Sequence, residues 1–382
     1  MRVPFHRPYI GNEEIDAVVE VLRSGWLTMG RKTIEFEKSF AGYVGCRNAV
    51  AVNSATSALH LGLLVAGVGA GDEVIIPADT FVATAETVKY LGAVPVLADV
   101  ERETHCMDPV EIEKRISPRT KAIVPVHFGG TPCDMDPIME LARGRGIAVI
   151  EDAAHSLPAR YRGRMIGTIG DITCFSFYAT KTITTGEGGM LATERDDWAD
   201  RFRNLRLHGI GKDSWNRYSD EGSWAYDVAD LGYKYNMTDI AAALGCAQLA
   251  RCDWMHQERI RMAKRYSEGF AGVDGLIPYA QMPGRAYAWH LYPLKLELDA
   301  LGLNRDRFIA ELKEKGIGTS VHFIPLYRFS YYKRLGYAAE SYPASEWIFE
   351  RVLSLPIFPG MSDEELSYVI ECVVDLARKH KR

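Results

Sequence analysis

An α/β fold with a mainly parallel sheet is predicted by three features of the sequence. Short Val/Ile runs recur from residue 48 onward, and they are too continuously apolar for one face to meet water. Segments with helical periodicity separate most of these runs, the alternation that covers a parallel sheet with helices on both faces. At 382 residues the chain exceeds one ordinary core, so a smaller second domain is expected beside the first.

The elements follow in order. Ile15, Val18, Val19 and Leu22 share one helical face, and Ser24-Gly25 ends that helix. "NAVAVN" (48–53) reads as a buried strand, followed by a helix through Ala58, Leu59, Leu61, Leu63 and Leu64. "EVIIP" (73–77), "VPVLADV" (94–100), "KAIVPV" (121–126) and "IAVIED" (147–152) are further strands, and "ITCFSF" (172–177) and "GMLAT" (189–193) stand closer together. After Trp254 the charged run "HQERIRMAKRYSEGF" reads as a connecting helix, with the domain boundary set at 255/256. The domains expected are thus 1–255 and 256–382. The second holds a strand at 290–297, a helix from Asn304 to Lys315, a strand near Val321 and a last helix opened by the capping box Ser362/Glu365.

Composition excludes several function classes. A formal charge of −5 gives no basic footprint for nucleic acid or an anionic membrane. No apolar run is long enough to span a bilayer, and the first residues lack the apolar centre of a signal peptide, so a cytoplasmic location is expected. The seven cysteines are scattered without a C-x-x-C pair, which indicates neither a disulfide framework nor a metal centre.

In parallel sheets ligands collect at the carboxyl ends of the strands, and the residues with chemical potential lie there. Lys181 follows the apolar stretch Cys174–Tyr178 and precedes the turn Gly186-Glu187-Gly188-Gly189. Such a setting suits an amine kept partly neutral and nucleophilic, although a strand-end lysine reaching for water fits the same stretch. Asp152 ends the apolar strand "IAVI", where an unpaired carboxylate is costly; a helix-capping aspartate is the alternative. Ser54 and Thr56 open a helix straight after a strand, which fits a phosphate as well as simple N-capping. Phe81 suits ring stacking or the core, and His155 a hydrogen bond to a ligand or a structural role. Pyridoxal phosphate needs this whole set: a lysine for its aldehyde, a carboxylate for its ring nitrogen, donors for its phosphate and apolar groups for its faces.

The order of these segments resembles the DegT/DnrJ/EryC1/StrS family of nucleotide-sugar aminotransferases. The likeness spans nearly the whole chain, through "SGWLTMG", "NSATSALHLGL", "GDEVIIPADTFVATA", "VIEDAAHS", "GDITCFSFYATKTITTGEGGM", "LGYKYNMTDIAAALG" and "AWHLYPLKL". It implies a fold-type I pyridoxal-phosphate enzyme with Lys181 as the Schiff-base lysine and Asp152 as the partner of the ring nitrogen. Ser176, Ala55 and Thr56 are then phosphate ligands, Phe81 and Ala154 cover the ring faces, and His155 sits near the ring's phenolic oxygen. The likeness also implies a homodimer in which Asn236 reaches the partner's phosphate; the tyrosines Tyr226, Tyr233 and Tyr235 suit a buried contact there. Many members have glycine where this chain has Ala55, a change that keeps the backbone N–H.

The activity implied is transfer of an amino group from L-glutamate, leaving 2-oxoglutarate, to a keto nucleotide-sugar for cell-surface polysaccharide. "KTITTGEGG" is similar to members that aminate C4, and "GYKYNMTDI" and "GIGTSVHF" look most like the enzymes making UDP-4-amino-4-deoxy-L-arabinose and a pseudaminic-acid precursor. Lys212, Arg217 and His322 are candidate partners for the sugar's diphosphate. A sugar dehydratase of the same fold is the alternative; such relatives carry histidine in place of Lys181. A non-catalytic sensor that keeps the cofactor residues is the other.

Overall fold

The computed structural model describes residues 1–210 and 227–382. The strands in chain order are β1 (Asn48–Val52), β2 (Glu73–Pro77), β3 (Val94–Ala98), β4 (Thr120–Ile123), β5 (Ala148–Asp152), β6 (Arg160–Tyr161), β7 (Arg164–Met165), β8 (Ile172–Ser176), β9 (Gly189–Thr193), β10 (Leu276–Ile277), β11 (Arg285–Ala286), β12 (Tyr292–Leu296) and β13 (Val352–Leu355). Seven of them form the central sheet in the order β1-β9-β8-β5-β4-β2-β3. Only β9 opposes the direction of its neighbours; the remaining pairs, β8-β5-β4-β2-β3, are parallel.

Period-two alternation places successive residues on opposite faces, and both faces are dry. On one face Ala49, Ala51, Ile75, Ile123, Val149 and Phe175 pack against helices Arg31–Val44, Met135–Ala142 and Asp239–Ala250. On the other, Val50, Val52, Val74, Ile76, Ile150 and Leu191 meet helices Ala55–Val65, Val82–Tyr90 and Asp196–Leu205. The Ala55–Val65 helix is apolar almost all round, as a helix covered on every side must be.

A separate core gathers Met262, Tyr266, Tyr292, Leu294, Phe308, Leu353 and Val369 around the small sheet β10-β12-β13. The strand expected near Val321 reduces to a single bridge, Ser320 to Ser354, and the third strand is β13, which follows the helix Pro343–Arg351. The boundary expected at 255/256 lies inside the helix Cys252–Phe270. Cys252 and Met255 of that helix join the first core, whereas Met262, Ala263, Tyr266 and Phe270 join the second. Chain order and packing part company elsewhere too: Val3 packs in the second core, and Leu326, Tyr327, Tyr332 and Tyr342 pack in the first unit. Among the described residues no helix is long and apolar enough to cross a membrane.

Candidate active site

The carboxyl ends of β1, β2, β5 and β8 open on a cavity of about 330 Å³, lined also by His290, His322 and Phe323 from the chain beyond the helix Cys252–Phe270. Ser54 caps the helix that follows β1: its hydroxyl accepts from the Ser57 N–H at 3.1 Å. The cap uses one of the helix's open donors. Among the described residues nothing accepts from the Ala55 and Thr56 N–H groups, and both residues line the cavity. The start of β9 passes so close to this turn that a Cβ on Gly189 would lie 2.7 Å from the Ala55 nitrogen, so only glycine fits. Ser176 ends β8 and also lines the cavity; its oxygen accepts from the Tyr178 N–H at 3.3 Å, which leaves its own proton free. Two N–H groups and a hydroxyl are thus left open on one cavity, which Glu187 also lines.

Asp152 ends β5 and is buried. Its Oδ1 accepts from the Ala154 N–H at 3.2 Å and its Oδ2 from the Thr84 hydroxyl at 2.9 Å. Burial raises its pKa, and these two donors work against that shift. An ionised carboxylate has about four acceptor positions, so the two bonds leave capacity toward the cavity that it lines. Lys181 is half-buried, and its surroundings are dry enough that burial lowers its pKa to about 8, against the opposing pull of Asp152. Both groups are therefore pressed toward their neutral forms, the arrangement that makes an amine nucleophilic and a carboxylate eager for a cationic partner.

The loop that carries Lys181 is bolted by threonines. The Thr184 hydroxyl donates to the Phe177 carbonyl at 3.1 Å and accepts from the Gly186 N–H at 2.9 Å, while the Thr185 hydroxyl donates to the Glu187 carbonyl at 2.7 Å. Sequence alone gave these hydroxyls no purpose. Gly186 takes a left-handed φ of 79°, which completes the turn.

His155 is buried, and its Nδ1 accepts from the Gly129 N–H at 3.2 Å, which places the ring proton on Nε2. Burial first, then Lys181 and His322, push its pKa well down, so the ring is neutral. Phe81 is 57% exposed and lines the cavity, which removes the core reading and leaves its ring free to face a ligand. Ala154 lines the cavity as well. His322 is brought there from the second unit, with Nδ1 2.9 Å from the Ser354 hydroxyl oxygen. Burial and then Lys181 lower it to about 4, so it offers an uncharged ring rather than a cation to any diphosphate. Asn236 stands apart: it bridges to Val52 beside the β1 end and accepts from the Lys234 ammonium at 2.6 Å, but it does not line this cavity. Lys212, Arg217 and Tyr226 lie outside the described residues.

Sequence reasoning missed Thr84, His290 and Phe323. His290 is buried with Nδ1 unpartnered among the described residues, and its ring centroid lies 4.4 Å from that of His155. Phe323 stacks on His155 at 5.8 Å. Thr84 lies one helical turn beyond Thr80, in the same post-strand loop and helix start as Phe81, and that proximity was the available signal. His290 and Phe323 carry no local signal, because only the closing of the chain brings them to the β5 end.

The donor set fits pyridoxal phosphate on the structure's own terms. Ala55, Thr56 and Ser176 would hold the phosphate, Asp152 the ring nitrogen, and Lys181 the aldehyde.

Comparison with known proteins agrees with the geometry. The DegT/DnrJ/EryC1/StrS aminotransferase family is matched over residues 8–374. The spore coat polysaccharide biosynthesis protein SpsC of Bacillus subtilis is 50% identical over 379 residues, 98% of this chain and 97% of that protein. Spr1654 of Streptococcus pneumoniae, assigned as a sugar aminotransferase, has been solved in PLP and PMP forms. Both superpose with a TM-score of 0.93 at 37% identity over 99% of this chain, covering 99% of the PLP-form chain and 98% of the PMP-form chain. Helicobacter pylori PseC, an aminotransferase of pseudoaminic acid biosynthesis, superposes with a TM-score of 0.92 at 26% identity, covering 99% of this chain and 100% of that one.

Proposed function

We propose, from the premise that the chain belongs to the DegT/DnrJ/EryC1/StrS aminotransferase family, that it moves an amino group from L-glutamate to C4 of a keto nucleotide-sugar. The protein is a pyridoxal-phosphate-dependent aminotransferase. When bound, that cofactor supplies an electrophilic aldehyde and an electron-accepting ring. The chain supplies the rest. Lys181 anchors and then carries a proton at its Nζ; Asp152 keeps a proton on the ring nitrogen; Ala55, Thr56 and Ser176 bind the phosphate; Phe81 and Ala154 cover the ring. His155, His290, His322 and Phe323 exclude water from the substrate side.

The observation that carries this reading is the pairing of Lys181 and Asp152 on one cavity, each driven by burial toward its neutral form. A sugar acceptor is supported by what SpsC, Spr1654 and PseC are said to do. Amination at C4 rests on the Gly186–Gly189 ending alone. With UDP-, GDP- and dTDP-linked 4-keto and 3-keto sugars supplied beside glutamate, the new amine is expected at C4 by NMR of the product. Amination at C3, or turnover of free ketones only, would overturn the substrate assignment.

The site is also proposed to be shared across a homodimer. Asn236 does not line its own chain's cavity, as a residue reserved for a partner's phosphate would not. Mixing inactive Lys181→Ala chains with inactive Asn236→Ala chains is expected to restore up to about a quarter of wild-type activity, by random pairing with one intact site in each mixed dimer. Verified subunit exchange without recovery would place Asn236 in its own chain's site.

A further inference from the structure

The N-terminal segment reaches the site from the opposite end of the chain. Val3 forms a parallel bridge with Ile317, donates to the Gly316 carbonyl at 2.9 Å and accepts from the Gly318 N–H at 2.8 Å. A Cβ on Gly318 would lie 2.5 Å from the Phe5 nitrogen, so the strap lies flush against the second unit. Arg7 pairs with Glu365 at 2.9 Å and holds the far end. Between these anchors, two consecutive side chains touch the cavity wall at His322 and the turn that leads to Lys181. The Phe5 ring stacks on His322 with centroids 5.6 Å apart. His6 Nε2 lies 3.1 Å from the Ala179 carbonyl oxygen, 173 positions along the chain.

A carbonyl can only accept, so His6 carries its proton on Nε2 and donates it. Ala179 belongs to the tight turn in which the Lys181 N–H donates to the Tyr178 carbonyl at 2.9 Å. The surroundings keep His6 a single-proton donor: burial first, then the Arg259 and Lys181 cations, hold it near 4. Arg259 is itself fully buried. Its Nη1 is engaged by the carbonyls of Trp289, His290 and Ile357, and no carboxylate pairs with it among the described residues.

We propose that His6 is a positioning residue for Lys181: its Nε2–H fixes the Tyr178–Lys181 turn, and the adjoining Phe5 ties that turn to the His322 wall. One strap thereby sets the amine and the substrate wall in mutual register. This rests on the reading of Lys181 as the reactive amine.

The test uses the full-length chain with His6→Phe, which keeps a ring and loses the donor, and His6→Gln, whose side-chain amide restores an N–H at similar reach. In cofactor-freed protein, the pH midpoint for Lys181 modification by 2,4,6-trinitrobenzenesulfonate is followed by peptide mapping. Only the neutral amine reacts, so the wild-type midpoint is expected at about 8. His6→Phe is expected to raise it toward the ordinary lysine value, because a loosened turn lets water reach the amine. In the holoenzyme the same variant should slow the half-reaction at saturating L-glutamate by about 10- to 100-fold, the cost of a small misplacement. The half-saturating glutamate concentration and Tm should stay near wild type. His6→Gln is expected to recover both midpoint and rate. An unmoved midpoint in His6→Phe, or a rate that falls in step with Tm and is not recovered by His6→Gln, would overturn the proposal. Failure of the underlying reading is distinguishable, since Lys181→Ala would then keep turnover.

Discussion

Replacing Lys181 with alanine is expected to remove turnover while leaving a folded protein that still binds pyridoxal phosphate. The loss has two sources. The amine is the anchor for the aldehyde, and among the described residues it is the only lysine lining the cavity. It is also the group placed to move a proton near the reacting carbon, a role worth about 10²–10⁴-fold by itself. The phosphate donors at Ala55, Thr56 and Ser176 and the carboxylate of Asp152 are untouched by the change, so affinity should survive better than rate. The fold should survive as well. Burial disfavours the Lys181 ammonium, so below a pH of about 8 the native state bears the cost of holding it, and alanine removes that cost. Single-turnover rates with L-glutamate, a visible absorption spectrum and a melting curve check these points together. Wild-type rates in the alanine variant would sink the mechanism; a protein that no longer melts cooperatively would shift the role of Lys181 to structure.

How far the sequence could be read depends on where each interaction is made. The strands of the central sheet were legible because burial on both faces writes uninterrupted Val/Ile runs; "EVIIP" coincides with β2. The helix Arg305–Glu314 was legible because Asn304 is a local cap, its side chain accepting from the Arg307 N–H. Val352–Leu355 was not: the run is short, it follows a helix without a turn signal, and its identity as a strand comes from pairing with β12. The site divides the same way. Asp152 and Ser176 end strands, and Thr56 and Lys181 follow a strand end within a few residues, where chain order predicts a ligand. His290 and Phe323 reach the cavity from more than a hundred positions beyond Lys181, and the strap residues Phe5 and His6 from even farther along the chain. Their neighbours in sequence are ordinary; only their neighbours in space are chemical. Packing also departs from chain order, because Val3 joins the core around β10-β12-β13 and Leu326 packs with the central sheet's helices.

Asp152→Asn is expected to keep the fold and the cofactor while slowing both transamination half-reactions by about 10- to 1000-fold. An opposite charge at close range shifts a pKa by roughly one to three units, so a neutral amide in place of the carboxylate cuts the proton occupancy of the ring nitrogen by that factor. The amide can be housed without loss. Its oxygen can still accept from the Ala154 N–H, and the Thr84 hydroxyl, which now donates to Oδ2, can turn to accept from the amide nitrogen or donate to Thr80. Stability supplies the control. The native pKa of Asp152 is raised by burial, so in cofactor-free protein its contribution is present at low pH and is lost as pH climbs from the ordinary carboxylate range through the raised value. The asparagine variant escapes that loss, and its Tm without cofactor should match or exceed wild type at neutral pH. With cofactor bound the order should reverse, because only the carboxylate gains a cationic partner. Rapid-mixing rates with L-glutamate, read beside melting curves with and without pyridoxal phosphate, test both halves. Half-reactions at wild-type speed would make Asp152 a structural residue held by Thr84 and Ala154, and a drop in Tm without cofactor would show that its charge is already neutralised by the chain itself.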